Sequence, residues 1–224
     1  MKSVYAFTLL FLFTVLGAKA TNFSDSIQIA GMPGKGSWIN QPAKTIIKGN
    51  NLHLFAPKET DFYHAPNGGF KATSASILLF QPDSNFTITT KTKVAFGKTY
   101  DGGAIFVYAD TTHYIKFLFE FSHYGKYAVC SGVTDGVTDD CNNAVAAKNE
   151  VYMRLSKNGP VYGLFYSLDG KEWFCARMVR FNPGGNIRVG FSSQAPLSAT
   201  CETAFENIQY APVGFKNGNT GEIK

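Results

Sequence analysis

Long apolar runs are scarce in this chain, and past its first twenty residues none approaches the length of about 20 residues that a membrane-spanning helix needs. A sustained 3.6-residue apolar period is missing as well, so nothing from Thr21 onward reads as a long amphipathic helix. No cluster of lysine and arginine stands out, which leaves no electrostatic footprint for a nucleic acid or an anionic membrane. Cysteines number four. They form no CxxC pair, and the histidines at 53, 64, 113 and 123 do not cluster with them, so no structural metal is implied.

Several catalytic signatures are also missing. The stretch GFSSQ from Gly190 lacks the second glycine of a nucleophile elbow. In GMPGKG, Gly31 to Gly36, the lysine is not followed by Ser or Thr, so the segment reads as a loop and not a phosphate cradle. DGVTDD, Asp135 to Asp140, offers oxygen ligands that calcium favours, but without a recognised ligand spacing it reads first as a solvated acidic loop.

What is present begins with MKSVYAFTLLFLFTVLGAKA. An early lysine, a short apolar run and the small-residue end Ala18-Lys19-Ala20 mark residues 1–20 as a secretory signal peptide. Removing Lys2 and Lys19 from the 21 basic residues leaves 19 against 16 acidic ones, a net charge of +3 for residues 21–224. That length suits one large domain. A secreted or, in a bacterium, periplasmic chain with an even cysteine count is expected to form disulfides. Local order favours Cys130 with Cys141 and Cys175 with Cys201. The sequons at Asn22 and Asn85 would be glycosylated in a eukaryotic secretory pathway.

From Thr21 to about residue 213, short runs rich in Val, Ile, Phe, Tyr and Thr alternate with turn signals such as PNGG, DGG, KNGP, LDGK and NPGG. This predicts ten or so antiparallel strands in two packed sheets, an all-β sandwich, with residues 214–224 a loose tail. Strands are expected near 51–56, 76–80, 86–94, 103–108, 114–121, 127–132, 150–156, 160–167, 172–181, 186–193 and 203–210.

The strand YIKFLFEF, residues 114–121, poses the functional question. Its period of two sends Ile115, Phe117, Phe119 and Phe121 to the core and Tyr114, Lys116, Leu118 and Glu120 to the outer face. Lys116 and Glu120 then lie roughly 13 Å apart. They belong either to an ordinary solvated face or to a site, and the strand alone does not decide. The same mixture of rings and charges recurs with Tyr152 and Arg154 in VYMRLS and with Trp173 and Arg177 in WFCARMV. Rings that stack on sugar C–H faces, with charged groups around them, make a carbohydrate surface.

Residues 38–210 resemble a family of concanavalin A-like lectin/glucanase sandwiches of unknown function, some of whose members carry the label "regulation of enolase". The matching stretches are DFY from Asp61, YDGGAIFVYADTTHYIKFLFEF from Tyr100, CSGVTDGVTDD from Cys130, VYMRLSKNG from Val151 and YSLDGKEWFCARMVRF from Tyr166. The resemblance implies a jelly roll with a concave glycan-binding face, similar to modules appended to xylosidase-type hydrolases. It implies that Asp61, Tyr100, Asp101, Lys116, Glu120, Thr134, Arg154 and Arg177 gather there; the chain departs from the family pattern in carrying Tyr63 and Tyr114 where members often have tryptophan, and stacking is expected from Tyr63, Tyr114 or Trp173. Glycosidases of this fold use an E-x-D-x-x-E or E-x-D-x-E strand, which is absent, and Glu120 has no second acid on its own strand. The expected function is therefore binding of an oligo- or polysaccharide without catalysis. A weak or vestigial hydrolase and an extracellular protein-interaction module are the alternatives.

Overall fold

The computed structural model describes residues 26–223. Residues 1–20 and Asn22 lie outside them. Among the described residues sixteen strands follow one another: β1 (Ser37–Ile39), β2 (Lys44–Lys48), β3 (Asn51–Pro57), β4 (Phe62–His64), β5 (Lys71–Thr73), β6 (Ser76–Phe80), β7 (Phe86–Ala95) and β8 (Gly102–Asp110). Then come β9 (His113–Phe121), β10 (Tyr127–Asp135), β11 (Val137–Ala146), β12 (Glu150–Asn158), β13 (Val161–Ser167), β14 (Phe174–Arg180), β15 (Arg188–Gln194) and β16 (Thr200–Ala211). Two seven-stranded sheets form the sandwich, the first ordered β1-β6-β15-β8-β9-β10-β11 and the second β14-β13-β12-β7-β16-β3-β2, with β4-β5 a separate hairpin. Every strand pair is antiparallel. Among the described residues no helix is long and apolar enough to cross a membrane.

Alternation explains the main core. Ile115, Phe117 and Phe119 of β9 meet Phe86 and Ile88 of β7 and Leu155 of β12 in one buried cluster, all with no exposed surface. Phe191 and Phe205 bring the sheets together with ring centroids 4.9 Å apart. Such burial, about 25 cal/mol per Å² of apolar surface, is what drives two half-apolar sheets to face each other.

A second, smaller cluster lies on the opposite side of the first sheet. There the β4-β5 hairpin lays Phe62 onto Phe106 and Tyr114, with centroids 5.7 and 4.9 Å away and nearly perpendicular rings. The outer face of this sheet is thus half covered, and that cover decides which of its residues meet solvent.

The structure revises three expectations. The acidic stretch from Asp135 is not a loop: a turn at Gly136, with φ of 75°, reverses the chain into β11, an edge strand paired with β10. Its polar composition hides it, since an edge strand with most side chains exposed needs no apolar period. Asp139 and Asp140 are consecutive in it and point to opposite faces, so they do not converge as a calcium loop would require.

The cysteines are unpaired. Cys130 stands opposite Asn142, while Cys141 stands opposite Ser131. Their side chains therefore leave opposite faces of the sheet and cannot bridge. Cys175 in β14 and Cys201 in β16 are four strand spacings apart, about 19 Å.

The tail is folded rather than loose. Phe215 bridges to Ile223 and packs on Phe165, and Lys216 N–H donates to Glu222 O at 2.6 Å. Asn85 opens β7, and its side-chain oxygen accepts a bond from Gly159 N–H at 2.7 Å.

Candidate functional site

A pocket of about 510 Å³ opens on the outer face of the first sheet, in the part that the β4-β5 hairpin leaves uncovered. Its floor is built from alternate residues of three strands. β9 supplies Lys116, Leu118 and Glu120; β10 supplies Gly132 and Cys130; β11 supplies Thr138, Asp140 and Asn142. The register lines these up, Lys116 opposite Gly132 opposite Asp140, and Leu118 opposite Cys130 opposite Asn142. Gly132 keeps the floor low, because a Cβ there would come within 2.9 Å of Thr138 Cγ2.

The walls come from loops. Tyr63 and Phe70 of the hairpin stand on one side with ring centroids 6.5 Å apart, and Tyr100, His123, Gln194, Pro196 and Leu197 close the other. Tyr100 is held in a left-handed backbone conformation, φ 71°, which a non-glycine residue adopts only when its surroundings impose it. Here they do: its N–H donates to Phe121 O at 2.7 Å and its carbonyl accepts from Gln194 Nε2 at 2.8 Å.

The charges that interrupt YIKFLFEF are resolved by this geometry. Lys116 is 6 % exposed and donates from Nζ to Asp61 Oδ1 at 2.9 Å and to Phe62 O at 3.1 Å. Burial works against its ammonium, but the Asp61 carboxylate outweighs it and holds the lysine above its usual range. Asp61 is itself fixed by accepting from Phe62 N–H at 2.7 Å.

Glu120 makes no ion pair or hydrogen bond among the described residues. Burial pushes its carboxyl up to about 8; Lys116 opposes the rise, and Asp140 and Asp61 add to it. That direction favours the protonated form. Asp140 lies exposed on the pocket floor, accepting from Cys141 N–H at 3.1 Å; the surrounding protein desolvates its carboxyl and raises it above the ordinary aspartate value, opposed by Lys116, Cys141 N–H and Arg177. Tyr63 is raised too, by burial and by Asp140 and Asp61, and remains a hydroxyl donor. Cys130 is raised by burial and stays a thiol, donating to Asn142 Oδ1 at 3.2 Å.

The structure brings Asp61, Tyr63, Tyr100, Lys116 and Glu120 to one pocket and separates the other residues that the sequence grouped with them. Tyr114 is fully buried under Phe62 and His64. Thr134 bonds Thr138 Oγ1 at 2.8 Å in the buried end of the same face. Asp101 is buried and ties the turn before β8, its Oδ2 accepting from Gly97 N–H and Lys98 N–H at 2.9 Å each and from Ser198 Oγ. Arg154 and Trp173 lie on the outer face of the second sheet, stacked at 3.9 Å. Arg177 crosses between the sheet edges to Asp139 at 2.8 Å.

Asp140, Asn142, His123 and Phe70 were not reached from sequence. Asp140 ended the stretch read as a loop and Asn142 lay just beyond it; applying the period of two to residues 138, 140 and 142 would have put them on one face.

A match over residues 38–213 to the family described as "Protein of unknown function (DUF1349)" covers both sheets and the whole pocket. The chain belongs to this family. No curated protein is similar enough to extend that assignment. Among solved structures, a functionally unknown protein from Saccharomyces cerevisiae is similar at 24 % identity and a TM-score of 0.73, over 79 % of this chain and 95 % of that one. The GH43 protein BlXynB from Bacillus licheniformis is similar at 13 % identity and a TM-score of 0.63, over 79 % of this chain but only 36 % of its own. The xylan β-1,4-xylosidase from Bacillus halodurans C-125 gives 13 % and 0.57, over 73 % and 33 %. This chain spans about a third of those hydrolase-family chains, and the likeness shows the shared sandwich alone.

Proposed function

We propose that the pocket on the first sheet binds a glycan. The observation that carries this reading is a ring-walled pocket of about 510 Å³ whose floor holds a fixed charge pair, Lys116 with Asp61, beside Glu120, Asp140 and Asn142. A volume of this order admits a small ligand, with apolar walls for contact area and a few placed polar groups for orientation. Tyr63 and Phe70 offer surfaces for the C–H faces of a sugar ring. Asn142, Asp140 and protonated Glu120 present a mixture of donors and acceptors suited to hydroxyl groups. The likeness to structures of GH43 proteins agrees with this reading.

Binding to an oligosaccharide array by the purified protein tests it. Tyr63→Ala is expected to weaken binding about tenfold, since it removes the stacking surface. Arg154→Ala, on the opposite face, should leave binding unchanged. Folded protein that binds no oligosaccharide, or binding lost with Arg154 and kept without Tyr63, overturns the proposal.

Hydrolysis is the second reading. One observation favours it: three carboxyl groups, Glu120, Asp61 and Asp140, border the same pocket, and burial shifts Glu120 upward, the direction a general acid requires. Release of reducing sugar by the wild type, abolished by Glu120→Gln, would establish it in place of simple binding.

A further inference from the structure

Resting on the glycan reading of this pocket, we infer that the sugar it takes carries an acetamido group, seated at the end that the β4-β5 hairpin closes. The inference comes from hydrogen-bonding capacity that the fold leaves unused there. Lys116, 6 % exposed, donates from Nζ to Asp61 Oδ1 and to Phe62 O. An ammonium has three N–H groups, and no described residue accepts the third. Glu120 and Asp140 feel the Lys116 charge from across the floor, but among the described residues its ion pair is with Asp61 alone. Asp61 is half used in the same way: Oδ1 accepts from Lys116 and from Phe62 N–H, while Oδ2 accepts from no described residue. Both side chains line the cavity. A nearly buried donor and a neighbouring carboxylate oxygen therefore stand open side by side, and such groups are costly until something meets them.

Elsewhere in the lining, polar atoms are already engaged. Asn142 Oδ1 accepts from the Cys130 thiol at 3.2 Å, Asp140 Oδ1 from Cys141 N–H at 3.1 Å, and Gln194 Nε2 donates to Tyr100 O at 2.8 Å. Glu120 and the Tyr63 hydroxyl stay available to the ring hydroxyls of a sugar. Beside the open pair, two residues further along β9, the floor turns apolar: Leu118 stands opposite Cys130, and they are 6 % and 3 % exposed. Gly132, opposite Lys116, adds no side chain there.

That end of the pocket thus offers a donor, an acceptor and an apolar patch in one place. Of the groups that sugars carry, an acetamido group meets all three. Its carbonyl accepts from Lys116, its N–H donates to Asp61 Oδ2, and its methyl lies on Leu118 and Cys130. A hydroxyl serves the two polar groups but leaves the apolar patch to water. A carboxylate brings acceptors alone and an ammonium donors alone, so each leaves one of the pair unmet. Lys116 and Asp61 cancel in charge, and the acetamido group that joins them is neutral.

Calorimetry with β-1,4-linked trimers that differ only in the group at C2 tests this: N-acetylglucosamine, glucosamine and glucose. The wild type is expected to bind the N-acetyl trimer about tenfold tighter than either of the others. Leu118→Thr, a residue that strands accept, takes away the seat of the methyl and should bring the N-acetyl and glucose trimers to within about twofold of each other. A glucose or glucosamine trimer that binds the wild type as tightly as the N-acetyl trimer overturns the inference while the glycan reading stands. So does a tenfold preference that the folded variant keeps; if the variant fails to fold, the wild-type comparison decides. Where none of the three binds, array binding confined to sugars without an acetamido group also overturns the inference. Folded protein that binds nothing on the array overturns the glycan reading itself.

Discussion

On the outer face of the first sheet Lys116 lies buried against Asp61 beside an open pocket; on the outer face of the second, Arg154 lies over Trp173 beneath the chain's own C-terminal segment. Both faces begin as strands in which charges and rings alternate with core residues. They part because different pieces of chain cover them. The β4-β5 hairpin seals only one end of its sheet, leaving the Glu120 carboxyl without a hydrogen-bond partner among the described residues and Asp140 accepting from Cys141 N–H at 3.1 Å. Residues 214–223 settle over theirs: Arg154 donates to Thr89 Oγ1 at 3.1 Å and to Gly221 O at 2.8 Å, and Phe215 caps Phe165. A charged residue on an outer strand face thus says little about a site until its cover is known. An unsatisfied group under an incomplete cover says more.

The largest expected effect tests the first face. Asp61→Ala leaves the Lys116 ammonium buried without its counter-ion, which costs about 3–5 kcal/mol. Urea unfolding should show that loss, and adding Lys116→Met should recover most of it by removing the stranded charge. A cost under about 1 kcal/mol would mean that the pair behaves as a surface bridge, and the contrast drawn here would collapse.

Next in size is the pH dependence set by Glu120. Its folded pKa, about 8, stands above the unfolded carboxylate value, so between those values the folded state holds a proton that the unfolded state has released. Stability from this group is then complete at low pH and falls as pH rises, by at most about 1.4 kcal/mol per unit, until the folded carboxyl ionises. Unfolding free energies from pH 5 to 9 should slope downward in the wild type and flatten over that window in Glu120→Gln. Equal slopes would show that the carboxyl is solvated after all.

The contrast also explains what could be read from sequence. The strand YIKFLFEF declared its two faces through the period of two, and the eleven strands expected from such patterns all form. The short strands β1, β2, β4 and β5 and the polar edge strand β11 escaped, because their pairing comes from neighbours and not from an apolar pattern of their own. Which outer face carries a pocket was not legible in the same way. That depends on where Phe62 and Phe215 land, and both are contacts between segments distant in sequence. Arg154 and Lys116 therefore looked alike, as did Tyr63 and the buried Tyr114.

On the second face the tail should be removable at a cost. Ending the chain after Val213 exposes Phe165 and takes the Gly221 carbonyl from Arg154, a loss of about 2–3 kcal/mol from apolar exposure and one charge-assisted bond. Gly221→Ala is a gentler form of the same test. Its φ of 65° strains any side chain, and a Cβ would come within 2.7 Å of the Phe165 ring, so about 1–2 kcal/mol should be lost. Thermal melts of both variants check this, and Tyr63→Ala binding should be indifferent to either. If truncation left the melting temperature unchanged, the second face would be as open as the first.

The smallest effect is expected where the two sheet edges meet. Arg177 pairs with Asp139 at 2.8 Å, but the aspartate side chain is 74 % exposed, so water competes for both charges. A double-mutant cycle of Arg177→Ala and Asp139→Ala should give a coupling of at most about 0.5–1 kcal/mol, declining with added salt. The same side chains removed from a buried setting would cost several times more, as Asp61 should show. A coupling near 3 kcal/mol at this edge would mean that exposure is a poor guide to which charged pairs of this sandwich matter, and the reading of Lys116 and Asp61 as exceptional would lose its basis.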